Sequence, residues 1–461
     1  MVRVLYYNKA KERPCMEDNA GKVRNYILDS LENGELKEGE KLPGARVLAS
    51  LLKAPFVKVQ QALDQLTREG ILETEPRKGT YVQAEWRDRI LQSNFTAFKP
   101  AEGLPWLPLL GKIFAERLPH LRIRNQFKRS VFELRTTVTV QSESRDYLDL
   151  APIFDKCHPD KSVFFSHPFK TFYINGKLPG IPFIFSPRVM FYNGSMFERA
   201  GQPPPKAGWT WDDFLSSVRA LRRTFPPEAV FGWGSTISAW INFVFRAGGA
   251  LMDPDAEDMV KIDHPKTQRG LELYAALKKE LGYSPGKTPE HTERFCRGGL
   301  ALLPGPREIM PFVRRSNPDG WGTVPLPLID GGREISAQAT DLICVRKSCT
   351  DAGAAAEFVK VMLSEEVQDF IGAEAYGIPI RKLSAFKSIN IEDTRDALFL
   401  TEASKTSAQY NIDSPELCAM ISDGISGMLD NDEDIKTATG KLADAVRTFL
   451  RIKKYSETHN I

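Results

Sequence analysis

Long apolar runs are missing from this chain. No uninterrupted apolar stretch reaches the ~18 residues that a membrane-crossing helix needs. The first residues, MVRVLYYNKAKERPCMED, carry basic side chains but no apolar run of signal-peptide length. Cysteine is sparse: Cys15, Cys157, Cys296, Cys344, Cys349 and Cys418 form no CxxC pair, and the six histidines form neither HxxxH nor HExxH. Neither a structural zinc site nor a disulfide framework is expected, and a reduced, cytoplasmic chain without a membrane partner is the plain reading. A strong excess of one charge is also lacking. A formal net charge of +3 over 461 residues announces neither nucleic acid nor membrane. The sequence has no P-loop, GxGxxG or GxSxG elbow. It also lacks the lysine beside a phosphate-cupping serine motif that a pyridoxal-phosphate fold requires. No catalytic residue, metal or cofactor is expected.

What remains is a globular composition, 42% hydrophobic and 26% charged, in a chain long enough for two or three domains. Residues 41–82 organise the rest. Ahead of them, residues 21–32 place Val23, Tyr26, Ile27 and Leu31 on one helical face, and Asn33-Gly34 stops that helix. A second short helix over 46–52 carries Val47, Leu48, Leu51 and Leu52. Pro55 suits the first turn of a third helix, whose buried face is Val59, Ala62, Leu63 and Leu66, and Gly70 ends it. Residues 71–73 and 80–83 then read as two strands joined by EPRKG. Three helices and a two-stranded wing predict a winged helix-turn-helix that sets one helix in the major groove.

The spaced residues Gly34-x-Leu36, Gly39, Leu42-Pro43, Arg46, Leu48-Ala49, Val59, Ala62-Leu63, Leu66, Glu69-Gly70 and Gly79-Thr80-x-Val82 make this segment similar to the GntR family of bacterial winged-helix regulators. The resemblance implies that Arg46 holds phosphate. It also implies that the helix from Pro55 reads bases and that the Lys78-Gly79-Thr80 tip enters the minor groove. The expected DNA-contacting residues are Arg46, Phe56, Lys58, Gln60, Gln61, Lys78, Gly79 and Thr80. Two departures stand out: Phe56 and Gln60 occupy positions where the family usually has arginine. Residues 17–86 hold ten Lys or Arg against twelve Asp or Glu, so the basic footprint of a DNA binder is missing. Such a head is expected to bind weakly alone and to gain affinity as a dimer on a paired site. Gln60 and Gln61 can contact adenine bidentately. Arg3, Lys9, Lys11 and Arg13 form either a basic arm or residues ahead of a start at Met16.

After residues 86–92, a polar linker, the pattern changes to alternating strands and helices, an α/β class. Residues 180–183 and 189–193 are strand-like, 196–201 a short helix, and Thr210 caps a helix at Trp211. These pieces, with Phe231-Gly-Trp, Ala247-Gly248-Gly249, Phe295-x-x-Gly-x-Leu-Ala-Leu-Leu-x-Gly305, Val324-Pro-Leu-Pro and Tyr376-Gly-Ile-Pro, resemble in order the family 1 extracellular solute-binding proteins of sugar importers. One departure is a shorter segment over 122–150. The resemblance implies two α/β lobes hinged around a cleft. The expected fold is therefore multidomain: a winged helix-turn-helix (α+β) at 16–85, then a two-lobe α/β periplasmic-binding-protein-like (type II) sensing domain at 93–461.

Loops matching the family's cleft make Trp233, Ser235, Thr236, Trp240, Gly305, Arg307, Trp321, Asp341 and Tyr376 the candidate ligand residues. Aromatic faces stack on sugar C–H surfaces while polar groups fix hydroxyls. Trp209 and Trp211 read as packing residues, Arg188 as half of a structural salt bridge, and Arg307 as a possible holder of an acidic sugar's carboxylate. The expected function is a ligand-responsive transcription regulator sensing a sugar or oligosaccharide. Its expected partners are a double-stranded DNA operator, the carbohydrate and a second copy of the chain. The alternatives are a pyridoxal-phosphate aminotransferase-like regulator or enzyme, since similar heads are fused to such domains, and a transport receptor.

Overall fold

The computed structural model describes residues 19–86, 130–232, 234, 236–282, 288–316, 320–349, 351–374 and 376–459. It also describes short pieces at 89, 94–97, 110, 113–114, 117–118 and 121–124. Arg3, Lys9, Lys11 and Arg13 lie outside the described residues. The chain forms two compact units. One takes the described residues up to Arg135 with Pro152–Cys157 and Ile343–Val367; the other takes Thr136–Ala151, His158–Leu342 and the residues from Gln368 onward.

The first unit begins with α1 (Asn19–Glu32), α2 (Ala45–Leu52) and α3 (Phe56–Arg68). Val23, Ile27 and Leu31 of α1 pack with Val59, Ala62, Leu63 and Leu66 of α3, the 3.6-residue stripes expected of both helices. Gly70, with φ +70°, closes α3 by letting the Ile71 N–H reach back to the Leu66 carbonyl at 3.0 Å. The wing is β1 (Leu72–Glu75) against β2 (Gly79–Val82), antiparallel from Leu72↔Val82 to Glu75↔Gly79. Residues 39–42 run along the outer side of β2, where the Leu42 N–H donates to the Thr80 carbonyl and the Val82 N–H to the Glu40 carbonyl. That edge is thereby covered. Trp86, expected at the start of a linker, is buried in the winged-helix core. An ion pair from Arg24 to Glu69, 2.8 Å and largely buried, ties α1 to the end of α3.

Two expectations for the head are corrected. Of the four apolar residues on α2, only Leu48 is buried; Val47 and Leu51 are each 58% exposed. An eight-residue helix lying on a small core can present only one narrow stripe to it. The first wing strand also starts one residue later than the alternation suggested, because Ile71 is spent capping α3, and the second spans 79–82 rather than 80–83.

The same unit contains β3 (Asn94–Ala97), which pairs in parallel with β4 (Arg122–Arg124) and β5 (Phe132–Thr136). Phe358, on a helix Ala352–Met362 capped by Asp351, packs on Phe132 with ring centroids 4.9 Å apart. Glu133 is fully buried between Arg135 and Arg346 and also accepts the Ser130 N–H. Burial alone would raise its carboxyl pKa. The two guanidinium groups outweigh this and hold it below the usual range.

In the second unit β6 (Ile181–Ser186) is buried along its whole length, as a continuous apolar run predicts. After Pro187 the chain turns into β7 (Val189–Asn193), and Asn193 caps α4 (Gly194–Arg199) by accepting the Met196 N–H. Thr210 and Asp213 form a reciprocal capping box that starts α5 (Trp211–Thr224). Next come α6 (Ile237–Arg246) and α7 (Pro265–Leu281), which approach closely because Gly270 faces the α6 backbone. A Cβ there would lie 2.6 Å from the Val244 Cα. β8 (Leu302–Gly305) and β9 (Trp321–Val324) flank β7 in one antiparallel sheet, with Val189↔Gly305 and Met190↔Val324 in register. β10 (Ile378–Pro379) pairs with β6, followed by α8 (Thr394–Glu402), α9 (Pro415–Asp430) and α10 (Ile435–His459). Leu417, Ile421 and Ile425 of α9 and Ala443 and Val446 of α10 join the core that holds α5, α6 and α7.

Arg307, just past β8, is completely buried. Its Nε and Nη2 donate to the two carboxylate oxygens of Asp396 at 2.7 and 3.0 Å, and its remaining contacts are the Gly377 and Ser388 carbonyls. Burial by itself would raise the Asp396 carboxyl. Arg307, the Asn390 N–H and Arg314 together bring it below the usual carboxylate range. Removing one partner strands the other charge, so Arg307→Leu should cost about 3–5 kcal/mol in urea unfolding, whereas the joint replacement Arg307→Leu/Asp396→Leu should recover most of it. Because the folded pKa of Asp396 is depressed, its stabilisation is present above the unfolded value near 3.9 and is lost as pH falls through the folded value. The joint variant should accordingly show a weaker dependence of melting temperature on pH below about 4 than the parent.

Candidate nucleic-acid interface and candidate ligand chamber

On the head, the outward face of α3 carries Phe56, Val57, Gln60, Gln61 and Asp64, all exposed. Neither α2 nor α3 has a side-chain N-cap, so the amide ends of both are open to an anion. Arg46, in the first turn of α2, is exposed and unpaired among the described residues. Gln60 donates to Asp64 at 2.9 Å, which fixes its amide along the helix. Lys58 is partly buried. At the wing, Lys78 pairs with Glu75 at 2.8 Å across exposed surface, and Thr80 shares a hydroxyl contact with Thr74. Gly79 has φ +131°, and a side chain there would press on Lys41. Two exposed cations escaped the sequence reading. Arg77 occupies the wing tip with φ +65°, and Lys53 ends α2 with φ +51°. Their signal was only that of turn residues.

Four apolar side chains stand on this same face: Val47, Leu51, Phe56 and Val57, between 49 and 64% exposed. Of these, Phe56 stands where the family usually has arginine; the second such position is Gln60.

The candidate ligand residues are not gathered into one place. Trp233 and Ser235 lie outside the described residues. Trp240 is fully buried within the α5–α7 core. Thr236 is exposed at the start of α6, where its hydroxyl meets Ser238. Gly305 ends β8 against Ile309. Arg307 has every guanidinium nitrogen committed to Asp396 or to backbone carbonyls. Asp341 and Tyr376 are buried. Trp321 stacks on Phe191 and lines an open groove of about 600 Å³ with Arg395, whose guanidinium lies 4.2 Å from the indole centroid.

A second, more enclosed chamber of about 120 Å³ lies between α6, α7, Phe231, Gly232 and Gly234, and the paired strands β7 and β8. Trp211, Phe231 and Phe243 give it an aromatic wall. Trp209, by contrast, is a packing residue whose indole N–H donates to the Pro325 carbonyl. Gly232 must lack a side chain, since a Cβ would lie 2.7 Å from Leu300 and 3.0 Å from His291. Tyr274 donates to the Gly234 carbonyl at 2.7 Å and so anchors the wall from α7. Asn242 bridges α6 to the Ala337 N–H at 2.8 Å.

Two arginines complete the chamber. Arg246 donates to the Leu326 and Pro327 carbonyls at 2.8 Å each, and burial lowers its pKa to about 10. Arg188 was expected in a structural salt bridge; among the described residues its guanidinium has no acidic partner and no hydrogen bond, and its Nε is buried. Burial depresses its pKa, with Tyr410 and Glu308 acting on it through space. Tyr410 is itself pushed up to about 12 by burial. Arg188, Arg246, Asn242, Tyr274 and His291 were therefore not recognised as chamber residues. Each sits in a run whose spacing reads as ordinary strand or helix.

Comparison with known proteins assigns both parts. Residues 19–82 match the gntR family of bacterial regulatory proteins, and residues 146–369 match the bacterial extracellular solute-binding proteins. The chain thus joins a GntR-type winged helix to a domain with the two-lobe solute-binding fold. The HTH-type transcriptional repressor YtrA of Bacillus subtilis is 36% identical over 66 residues, 14% of this chain and 51% of that protein. The sn-glycerol-3-phosphate-binding periplasmic protein UgpB of Salmonella typhimurium is 24% identical over 160 residues, 33% of this chain and 36% of that protein. The chain therefore spans about half and about a third of these two relatives. An ABC transporter solute-binding protein from Thermotoga lettingae, bound with alpha-D-tagatose, superposes with a TM-score of 0.66 at 17% identity, covering 78% of this chain and 99% of the other. Among the described residues no helix is long and apolar enough to cross a membrane.

Tyr274→Phe leaves the buried Gly234 carbonyl without its donor. It should cost about 1–3 kcal/mol in urea unfolding. Phe231→Leu, which keeps the anchor, should cost less if the hydrogen bond rather than aromatic packing holds the wall.

Proposed function

We propose that the protein is a ligand-responsive DNA-binding transcription regulator. The observation that carries this reading is the presence of a gntR-type domain and a solute-binding-type domain in a single chain. The head needs DNA, so the protein works in the cytoplasm, and its solute-binding fold serves as a sensor. The relatives bind tagatose and sn-glycerol 3-phosphate, which supports a small sugar or polyol as the ligand. A solute that favours one conformation of the sensor shifts the DNA affinity of the head by the same free energy, and DNA shifts solute affinity in return. Reading occurs as a homodimer on a two-fold site, because a head with net negative charge has too few phosphate contacts to hold DNA alone.

The face of α3 suggests which bases are read. Gln60 and Gln61 suit adenine, and Phe56 and Val57 suit the thymine methyl group, so the half-site is rich in A·T pairs.

With the full-length protein and an operator selected from random DNA, anisotropy should show that Arg46→Ala weakens all sequences alike. Gln60→Ala should also relax base preference, by about 1–3 kcal/mol at one position. Replacing half-site thymine by uracil should weaken the parent but not Phe56→Ala. Binding unchanged in all three variants would remove the DNA assignment. A solute panel that alters neither melting temperature nor operator affinity would remove the sensor assignment.

A further inference from the structure

We propose that the chamber between α6, α7 and the paired strands β7 and β8 is an anion compartment, in which Arg188 contacts the phosphate or carboxylate group of a small acidic polyol. The proposal rests on the reading of the C-terminal domain as a solute receptor and specifies the ligand class that this receptor takes.

The first argument is charge. The chamber wall includes Arg188, Arg246 and His291, and none of its described residues is Asp or Glu. A receptor for neutral sugar fixes hydroxyls with acceptors as well as donors. This wall offers cationic donors and no carboxylate.

The second argument is the contrast between the arginines. Arg246 is satisfied by two backbone carbonyls, and Arg307, on the chain segment paired with that of Arg188, is neutralised by Asp396. Arg188 has neither kind of partner among the described residues, although its Nε is out of contact with solvent. Guanidinium keeps its proton at neutral pH, and Arg188 is half-buried, so enclosing it further without an acidic partner is costly. An anion entering the chamber removes that cost and can bond through the planar fork that suits phosphate and carboxylate.

The third argument is size. A volume of about 120 Å³ corresponds to roughly four waters at ~30 Å³ each, far less than the ~300–1,000 Å³ of a pocket enclosing a whole drug-sized ligand. It accommodates one compact headgroup and the first carbons attached to it. Trp211 and Phe243, which line the chamber, supply apolar surface for those C–H groups.

The test uses the full-length protein, its Arg188→Gln and Arg188→Lys variants, and calorimetric and thermal-shift titration. The probes are inorganic phosphate, sn-glycerol 3-phosphate, glucuronate and, as neutral controls, glycerol and maltose. Without added solute, Arg188→Gln should melt at or above the parent, because an uncompensated charge has been removed. At least one anionic probe should stabilise the parent by several degrees. Its affinity should fall roughly 10- to 100-fold in Arg188→Gln and less in Arg188→Lys, the range expected for a charge-assisted hydrogen bond. Phosphate and glucuronate separate the two anion sources.

Three outcomes overturn the inference. One is a neutral probe binding with equal affinity to parent and Arg188→Gln while no anion binds, which leaves solute sensing intact. Another is a drop of several degrees in Arg188→Gln with anion affinity unchanged, which makes Arg188 a packing residue. The third is the absence of binding by every probe, which removes the receptor reading as well.

Discussion

A buried arginine requires a counter-charge or a set of hydrogen-bond acceptors, and the second unit meets that requirement differently for each of its arginines. Arg307 and Arg188 flank the ends of paired strands, β8 and β7. Arg307 receives a bidentate carboxylate and two carbonyls, which draws α8 and the loop before β10 onto the end of the sheet. The same pairing that fixes Arg307 therefore shapes the turn from which Arg188 projects. Ser186 reinforces this, since its hydroxyl accepts the Arg307 N–H at 2.9 Å. One cation is spent on structure; the other is left available for chemistry. A stability argument explains only the first.

The head meets a different constraint. Its acidic residues are partly used internally: Glu69 neutralises Arg24, Glu75 meets Lys78, and Asp64 accepts from Gln60. The two ion pairs leave the net charge of the head unchanged and occupy Arg24 and Lys78, so they supply none of the free cations that a strong DNA binder uses. Apart from Asp64, the exposed residues on the outward face of α3 before its last turn are instead apolar or amide. Phosphate contacts position a protein, whereas base-edge contacts specify sequence. The face of α3 is therefore better supplied for specificity than for affinity, which is the balance expected where two heads share one site.

The outline of both folds was legible because it depends on local periodicity. Val59, Ala62, Leu63 and Leu66 revealed α3 through their spacing, and the capped start of α5 could be read from Thr210 and Asp213. The chamber was not legible, for three physical reasons. Trp240 was expected at the site and Trp211 in the packing, but helix rotation buries the first in the core and turns the second to the chamber. Arg307 read as a candidate ligand residue because Asp396, its partner, is 89 residues away. Arg188 looked paired because charged residues in apolar strands usually are. Whether a charge has found a partner is a tertiary fact, and no spacing rule contains it.

These two features suit one another energetically. A head with few phosphate contacts binds its site with modest affinity and a shallow dependence on salt. Its occupancy then lies within reach of a coupling of about 1–3 kcal/mol, a 5- to 150-fold change, which is the size that allosteric effectors commonly exert. A ligand delivers coupling only through its different affinities for two conformations. A half-buried guanidinium with no acidic partner among the described residues is well placed to generate such a difference. Any conformation that exposes Arg188 to water relieves its desolvation without ligand, and any that encloses it gains most from an anion. The resting protein should therefore favour the conformation in which Arg188 is hydrated, and an anionic ligand should favour the enclosed one. The same side chain then supplies both ligand recognition and the free energy that makes recognition consequential for DNA.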